Sequence, residues 1–284
     1  MEIKKIAVLG TGIMGSGIVQ VLAIAGKEVV MRGRGIGDPN LEKPKAAMLK
    51  AQGKLVEKGK KTQEEVDAMM SKITFTSNLA DCADCDLVIE SAVEEIEEKI
   101  ALFQELDKVC KSETIYATNT SSYPVSKIAA ATTRPDRFMG IHFFNPATVM
   151  KLVEVVRAIN VTDEIADACF QLMVDIGKTP IKVGEGPGFV VNRILVPLVN
   201  EGAFVLEEGL ATAEDIDTAM KLGANHPMGP LALGDLIGLD TILSIMEAYH
   251  AETGDQKYRP SRLLKRMVRG GKLGRKTGEG FFKY

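Results

Sequence analysis

Short apolar runs alternate with longer segments of helical spacing over the first 186 residues of the chain. Runs rich in β-branched residues, which are typical of buried parallel strands, occupy residues 3–9, 28–31, 87–90, 114–117, 137–143, 152–156 and 179–183. Helical spacing covers residues 12–25, two segments within 41–72, and residues 94–109. This alternation predicts an α/β fold with a doubly wound, Rossmann-type parallel sheet.

The pattern changes after the glycine- and proline-rich stretch "GEGPGFVVNR". Residues 188–284 show long stretches with a 3.6-residue period and almost no strand signal. We therefore predict two domains, residues 1–186 with the sheet and residues 187–284 built only of helices, with the joint within 184–188.

The N-terminus imitates a secretion signal, because two lysines precede the apolar run "IAVLGTGIMGSGIVQVLAIAG". Glycines at positions 10, 12, 15 and 17, followed by Gln20, are too dense for a signal or membrane helix. We interpret the segment as strand, turn and helix, and expect a cytoplasmic protein without a membrane segment.

Composition narrows the classes of function. A net charge of −3, 5% aromatic residues and the absence of Trp argue against a nucleic-acid partner. The four irregularly spaced cysteines favour a reducing compartment. Cys82 and Cys85 have CxxC spacing, but without a second pair this favours packing over a redox or zinc role. The three scattered histidines give no reason to expect a metal site.

The segment Gly10-Thr11-Gly12-Ile13-Met14-Gly15 fits the pattern G-x-G-x-x-G between a predicted strand and a predicted helix. The first glycine permits a tight turn, the second lets the backbone approach a pyrophosphate, and the third allows close helix–strand packing. The start of the following helix offers unpaired N–H groups to phosphates. A tight turn without a ligand is the alternative, but the strand–turn–helix context favours dinucleotide binding.

The residues after the second predicted strand depart from this pattern. An Asp or Glu is expected there to bind the ribose hydroxyls, whereas the chain has Arg32, Gly33 and Arg34. Arginine at this place is able to bind a 2′-phosphate, which would favour NADP(H). Alternatively, both arginines are solvated and Asp38 or backbone groups meet the ribose. The choice between NAD and NADP stays open.

Polar residues follow or interrupt several predicted strands. Because ligands bind at the carboxyl edge of open α/β sheets, residues after such strands are candidates for chemistry. These candidates are Asn119, Ser121, His142, Asn145, Glu154 and, at the start of the helical domain, Asn192.

Glu154 stands inside the apolar run "KLVEVV", where a carboxylate needs a partner. His142, near the end of the preceding strand, is the expected partner. Such a pair would fix the imidazole tautomer and suit it to exchange a proton near neutral pH. A purely structural pair, or a Glu facing water on an edge strand, is the alternative; the neighbouring dinucleotide motif favours catalysis. His226 is expected in a turn and His250 exposed on a helix.

The motifs "GTGIMGSGI", "NTSS", "HFFNP", "MKLVEVV", "PGFVVNR", "GANHPMGPL" and "GRKTGEGFFKY" closely resemble the L-3-hydroxyacyl-CoA dehydrogenase family, most nearly its bacterial 3-hydroxybutyryl-CoA members. The resemblance spans nearly the whole chain. It implies hydride transfer between NAD, with NADP as an alternative, and C3 of a short 3-hydroxyacyl-CoA or 3-ketoacyl-CoA. His142 would be the general acid/base at the C3 oxygen and Glu154 its orienting carboxylate, while Ser121 and Asn192 would hydrogen-bond the substrate or the imidazole.

The resemblance also implies binding residues and partners. Together with Arg32, the residues expected to bind the dinucleotide are Gly10, Thr11, Gly12, Ile13, Met14, Gly15, Glu94, Lys99, Asn119, Ser121, Asn145 and Lys276. The helices within 41–72 would bind the CoA, with Lys54 as a phosphate partner. A homodimer through the helical domain is expected, to which the apolar residues 227–249 would contribute unless they only form the core of that domain.

Two other functions remain in view. One is a dehydrogenase acting on a hydroxy acid without CoA. The other is a dinucleotide sensor without catalysis, which would not need His142, Glu154, Ser121 and Asn192 together.

Overall fold

The computed structural model describes residues 1–33 and 41–284. The chain divides into two compact units, Met1–Gly186 and Pro187–Tyr284. The first unit is built on one sheet whose strands are β1 Lys5–Leu9, β2 Glu28–Arg32, β3 Ile73–Thr76, β4 Leu87–Glu90, β5 Ile115–Thr118, β6 Phe138–Phe143, β7 Leu152–Arg157 and β8 Thr179–Gly184.

The strand order is β3-β2-β1-β4-β5-β6-β7-β8, and every neighbouring pair is parallel except β6 and β7. The order runs outward in both directions from β1, as in a doubly wound sheet. The helices of this unit are α1 Ile13–Ile24, α2 Glu42–Glu57, α3 Gln63–Ser71, α4 Ile96–Asp107, α5 Val125–Ala129 and α6 Asp163–Asp175. The predicted fold class is confirmed.

Side chains of one strand supply packing on both faces of the sheet. Ile115 and Ala117 of β5 belong to the large apolar core, which also contains buried side chains of α1 and α6. Tyr116, between them, instead packs with Phe103 of α4 and Phe138 of β6 at ring-centroid distances of 5.3 and 6.3 Å. Because successive strand residues face opposite sides, helices cover both faces and the strands are buried.

Strand β7 is an exception within the predicted parallel sheet. It is antiparallel to β6, with His142 directly opposite Glu154. A parallel return requires a crossover of a dozen or more residues, usually a helix. Residues 144–151 form a short connection without a helix, so the chain turns back directly and β7 begins at the edge where β6 ends.

Several elements differ from the predicted ranges at their ends, and β3, α5 and α6 were not predicted. The edge strand β3 has one buried residue, so its apolar signal is weak. Helix α6 has a sequence signal that was missed, since the Thr162 side chain caps it and Asp163 and Glu164 occupy its first turn. The N-terminal apolar segment is strand β1 followed by α1, as predicted.

The second unit is helical, as predicted. Its helices are α7 Val191–Glu207, α8 Ala213–Gly223, α9 Pro230–Ile237, α10 Leu239–Thr253 and α11 Arg262–Arg269. Its core joins Val199 of α7 to Leu239, Ile242, Met246 and Tyr249 of α10. Most large apolar side chains of residues 227–249 are therefore used within the unit itself. Among the described residues, no helix is long and apolar enough to cross a lipid bilayer.

Candidate active site

Strands β1, β2, β4, β5 and β6 run parallel, so their carboxyl ends meet at one edge of the sheet. The predicted site residues of the first unit follow these ends or lie beside them. The topology therefore gathers residues from distant parts of the sequence at the edge where open α/β sheets bind ligands.

The glycine turn after β1 has the tight geometry that its sequence predicts. Gly10 has a φ of +131°, and a Cβ there would lie 2.1 Å from the backbone oxygen of Ser91. A Cβ on Gly15 would lie 2.1 Å from the backbone oxygen of Gly10. Both positions therefore exclude any larger residue.

Gly12 is different, because a Cβ there would meet no atom of residues 1–33 or 41–284 within 4 Å. It stands at the N-cap of α1, where no side chain caps the helix and no acidic residue lies in the first turn. The backbone is thus open to an approaching anion, at a helix end that favours negative charge. Within the motif, Ile13 is 76% exposed and Met14 packs against the core.

A cleft of about 690 Å³ opens beside this turn. Its walls are Gly10, Thr11 and Gly12, the end of β2, the loop after β4, and one side of α4. An uncapped helix start, a glycine facing open space and the cleft beside them together fit the pyrophosphate and one nucleoside of a dinucleotide.

Arg32 is the last residue of β2, and its carbonyl accepts a hydrogen bond of 3.0 Å from the N–H of Gly10. Arg32 and Gly33 both line the cleft. The Nε of Arg32 is buried and has no hydrogen-bond partner among the described residues. Arg34 and Asp38, the other residues considered for the ribose, lie outside the described residues.

The structure brings His142 and Glu154 together. Nδ1 of His142 lies 2.7 Å from Oε2 of Glu154, and both side chains are buried, at 8% and 0% exposure. Because a carboxylate has no proton to give, Nδ1 carries the hydrogen of this bond. Glu154 lies between β6 and β8, which excludes the alternative of an edge-strand Glu facing water. The pair has the geometry of an imidazole oriented by a buried acid.

Asn119 connects the ends of three neighbouring strands. Its Oδ1 accepts a hydrogen bond of 2.9 Å from the N–H of Phe143, the residue after His142, and its Nδ2 lies 3.4 Å from Ser91 Oγ. Its own N–H donates to the backbone of Glu90 at the end of β4. Asn119 is therefore a structural tie of the edge that carries His142.

Ser121 is half-buried in the loop after β5, close in sequence to that tie. Asn145 is exposed in the loop after β6. Lys178 holds this loop, since its ammonium donates to the carbonyls of Ala147 and Met150 at 2.5 and 2.8 Å. Burial lowers the pKa of Lys178.

A buried charge network lies behind the cleft, and it was predicted only in part. Lys99 is 2% exposed and its Nζ lies 2.7 Å from Glu90 and 3.0 Å from Glu94. Glu90, which is fully buried, also accepts from Thr118 Oγ1 and from the N–H of Ala92, both at 2.7 Å. Glu90 ends the apolar run "LVIE". A carboxylate in a buried strand is the signal that singled out Glu154, but the sequence analysis did not apply it to Glu90.

Glu94, in contrast, has a side chain that is 41% exposed. Partial burial opposes its ionisation, but the Lys99 ammonium and the hydroxyls of Thr120 and Ser122 outweigh it and lower the pKa of Glu94. Lys99 lines the cleft, and Glu94 is bound to it. Both predicted residues thus belong to one network at the sheet edge.

A second polar chain connects α1 and α2, and the sequence did not reveal it. Gln20 Nε2 donates to the carbonyl of Ser16, Gln52 Nε2 donates to Gln20 Oε1, and Lys61 donates to Gln52. Gln20 and Gln52 are 8% and 4% exposed. Lys54, in the last turn of α2, is exposed.

The second unit carries the two remaining predicted site residues. Asn192 is half-buried in the first turn of α7. The Nζ of Lys276 lies 2.6 Å from Oδ2 of Asp240, at the start of α10.

The cysteines and the two remaining histidines show no sign of a chemical role. Burial raises the pKa of the Cys82 and Cys85 thiols to about 12, which makes neither a reactive thiolate, in accord with the packing interpretation. Within the described ranges, no group of three or more His, Cys, Asp or Glu side chains is placed to hold a metal ion. His226 lies in the connection between α8 and α9, and His250 is half-exposed on α10.

Comparison with known proteins places this geometry in a family. The family profile described as 3-hydroxyacyl-CoA dehydrogenase, NAD binding domain, matches residues 5–186, and the profile for the C-terminal domain of the same family matches residues 188–284. A 3-hydroxybutyryl-CoA dehydrogenase of Clostridioides difficile is 49% identical over 280 residues, which cover 99% of each chain. The mitochondrial hydroxyacyl-coenzyme A dehydrogenase of Sus scrofa is 41% identical, over 99% of this chain and 91% of its own.

The fold agrees with a solved member of this group. The crystal structure of (S)-3-hydroxybutyryl-CoA dehydrogenase from Ralstonia eutropha matches with a TM-score of 0.97 and 44% identity, over 100% of this chain and 99% of its own. Both family profiles, the sequence relatives and the fold agree with the predicted resemblance: this chain belongs to the 3-hydroxyacyl-CoA dehydrogenase family of NAD-binding oxidoreductases.

Proposed function

We propose that this protein interconverts 3-hydroxybutyryl-CoA and acetoacetyl-CoA with a nicotinamide dinucleotide, His142 and Glu154 serving as its acid/base pair. One observation carries the proposal. A buried histidine, hydrogen-bonded to a buried glutamate at 2.7 Å, lies at the sheet edge that also presents the glycine turn. Dehydrogenation of an alcohol requires a hydride acceptor and a proton acceptor, and this edge offers a place for each.

The dinucleotide would be held by the backbone of the glycine turn and by the walls of the cleft. The N–H groups at the start of α1 would bind the pyrophosphate, while Arg32 and the loop after β4 would hold one nucleoside. The network of Glu94 and Lys99, which lies beside the cleft, and the tie made by Asn119 would shape the same sheet edge. When bound, the nicotinamide supplies or accepts the hydride at C3 of the substrate.

His142 would act as the general acid and base. Since Nδ1 faces Glu154, exchange with the oxygen on C3 belongs to Nε2, which donates a proton during reduction and takes one during oxidation. Glu154 holds the ring in one orientation and stabilises its positive form. In this buried surrounding, that charge pair interacts more strongly than it would in water.

The substrate would be held by single residues of both units. Ser121 and Asn192 provide hydrogen bonds to the substrate oxygen, which carries growing negative charge during reduction. Lys54 offers a cation to the phosphates of CoA from the exposed face of α2. We also propose that Lys276 contributes a cation to the dinucleotide site.

We further propose a cytoplasmic homodimer. It would form through exposed apolar side chains of the second unit such as Ile194 and Leu222, which are 67% and 82% exposed.

The purified protein tests the function directly. Nicotinamide absorbance is followed with acetoacetyl-CoA and, in parallel, with free acetoacetate. We expect rapid oxidation of the reduced dinucleotide with the CoA ester and little with the free acid. The reverse preference would favour the hydroxy-acid dehydrogenase, and absence of turnover despite cofactor binding would favour the sensor. Sedimentation equilibrium tests the dimer. A measured mass equal to that of one chain would contradict it.

A further inference from the structure

The β6–β7 loop, residues 144–151, joins the two strands that carry His142 and Glu154. Its first residue, Phe144, packs on the imidazole of His142, with ring centroids 4.6 Å apart. Within residues 145–151, all of which the structure describes, Ala147 is the one buried residue. A mostly exposed segment therefore forms part of the immediate surroundings of the imidazole.

Lys178, the residue before β8, holds this loop. Its Nζ donates to the carbonyls of Ala147 and Met150 at 2.5 and 2.8 Å, and the N–H of the next residue, Thr179, donates to the carbonyl of Lys151 at 2.8 Å. Burial lowers the pKa of Lys178, and no charged group among the described residues offsets this effect. Because burying part of an ammonium is costly, the two charge-assisted hydrogen bonds to carbonyls are what compensates it.

Helix α1 contacts the same loop. A Cβ on Gly17 would lie 3.0 Å from the Cβ of Ala147, which is closer than ordinary van der Waals contact. Gly17 and Ala147 are both buried. Since α1 begins directly after the glycine turn, this contact connects the helix of the dinucleotide motif with the loop that follows His142.

We propose that Lys178 is a positioning residue of the active site. Its ammonium holds the β6–β7 loop so that Ala147 packs against Gly17 and the imidazole of His142 keeps its distance from the dinucleotide helix. A misplacement of about 1 Å between reacting groups lowers a rate about 100-fold, so this distance matters for transfer of hydride and proton together. The inference rests on the proposed function for the role of His142, and it adds a residue that acts only through the loop.

Single-turnover measurements on the whole protein test this role. The protein with bound reduced dinucleotide is mixed with acetoacetyl-CoA, and the nicotinamide absorbance reports the chemical steps without product release. Lys178→Met keeps the aliphatic stem and removes the donors. We expect this rate to fall about 10- to 100-fold, while the dissociation constant of the dinucleotide changes by less than about fivefold.

Two further variants show whether the ammonium itself is responsible. Lys182→Met, at an exposed lysine of β8, is the matched control and should leave the rate within about twofold. Lys178→Arg keeps a cation with N–H donors and should stay within about fivefold of the unchanged protein. A rate of Lys178→Met close to that of the Lys182→Met control would overturn the proposal, as would a loss in Lys178→Arg as large as in Lys178→Met.

Gly17→Ala tests the same spacing without changing Lys178. The added Cβ presses on Ala147, so we expect the single-turnover rate to fall by about threefold or more. Alanine favours a helix more than glycine does, so a weakened α1 does not account for such a loss. Adding Ala147→Gly removes the close contact and should restore part of the rate. An unchanged rate for Gly17→Ala, or a further loss in the double variant, would overturn the proposal, and this pair decides if Lys178→Met fails to fold.

The imidazole nitrogen spectrum gives a readout that does not need turnover. The chain has three histidines, and His226 and His250 of the second unit serve as internal references. We expect Lys178→Met to move the signals of His142 and to leave the other two unchanged. If the protein does not reduce acetoacetyl-CoA but the His142 signals move, the proposed reaction fails and the positioning role stands. If turnover is rapid and neither the rate nor these signals respond to Lys178→Met, the reaction stands and the positioning role fails.

Discussion

His142 and Glu154 depend on each other at the scale of single residues. Each would be costly in its buried position alone, since an isolated buried charge is strongly unfavourable. The direct opposition of the two residues across β6 and β7 resolves that cost and at the same time orients the imidazole. Stability and proposed chemistry therefore use the same hydrogen bond.

Replacing His142 by Gln removes the proposed proton donor and acceptor while keeping a side chain able to bond Glu154. We expect kcat to fall by about 10²- to 10⁴-fold, with the affinity for the dinucleotide within about threefold of the unchanged protein. Steady-state kinetics and cofactor titration measure the two quantities. His250→Gln, at a half-exposed histidine of the second unit, is the matched control, and turnover of His142→Gln near that of this control would contradict the assignment.

Replacing Glu154 by Gln keeps the size of the side chain and removes its charge. We expect a smaller loss of kcat, about 10- to 100-fold, because the imidazole is still present but its positive form is no longer stabilised. The rate of reduction as a function of pH provides a second readout, since we expect this rate to reach its maximum at a lower pH. An unchanged pH profile would assign Glu154 a structural role only.

The network of Glu90, Lys99 and Glu94 acts at the scale of elements. Lys99 on α4 contacts an acid at the end of β4 and another in the loop that follows, so helix, strand and loop are held in one arrangement beside the cleft. Exposed pairs such as Lys108–Glu105 contribute little by comparison.

Lys99→Met leaves the buried carboxylate of Glu90 without its cation. We expect the free energy of unfolding to fall by about 3 kcal/mol and cofactor binding to weaken. Denaturant unfolding and cofactor titration are the measurements. Lys108→Met is the control in the same helical segment, and adding Glu90→Gln to Lys99→Met should restore part of the loss; an additive further loss would show that the two groups are not coupled.

At the scale of the whole molecule, long-range contacts hold together parts of the sheet that are remote in sequence. The carboxylate of Asp86, just before β4, accepts from the N–H groups of Lys4 and Lys5 at 2.9 and 3.1 Å and from Lys111 at 2.7 Å. Partial burial opposes its ionisation, but the Lys111 ammonium and the two N–H groups outweigh it and lower the pKa of Asp86.

This contact makes stability depend on pH. Because the folded protein lowers the pKa of Asp86 below its ordinary value of 3.8, the stabilisation is complete above that value and is lost as pH falls through the folded pKa. We expect Asp86→Asn to cost on the order of 1 kcal/mol at pH 7 and progressively less below about pH 4. Thermal unfolding of both proteins between pH 7 and pH 2 measures the difference, and a difference independent of pH would exclude this role.

Local patterns were enough to predict much of the fold because parallel strands buried on both faces are apolar over most of their length. The runs that became β1, β4 and β6 are of this kind. The edge strand β3 has one buried residue, so its pattern resembles a loop. The reversed direction of β7 follows from the short connection before it, which has no helix. The apolar pattern of the strand itself does not show in which direction the strand runs.

The sequence by itself determined the glycine turn, the absence of an acid at position 33 and the isolated carboxylate within "KLVEVV". These follow from local backbone geometry and from the cost of burying a charge. Both can be judged from a short segment of the chain alone. Only the tertiary structure decided that Glu154 meets His142 and that Lys99 is neutralised by two acids. Partners in these contacts come from different strands and helices, and their distances depend on strand order and direction, which no single segment encodes.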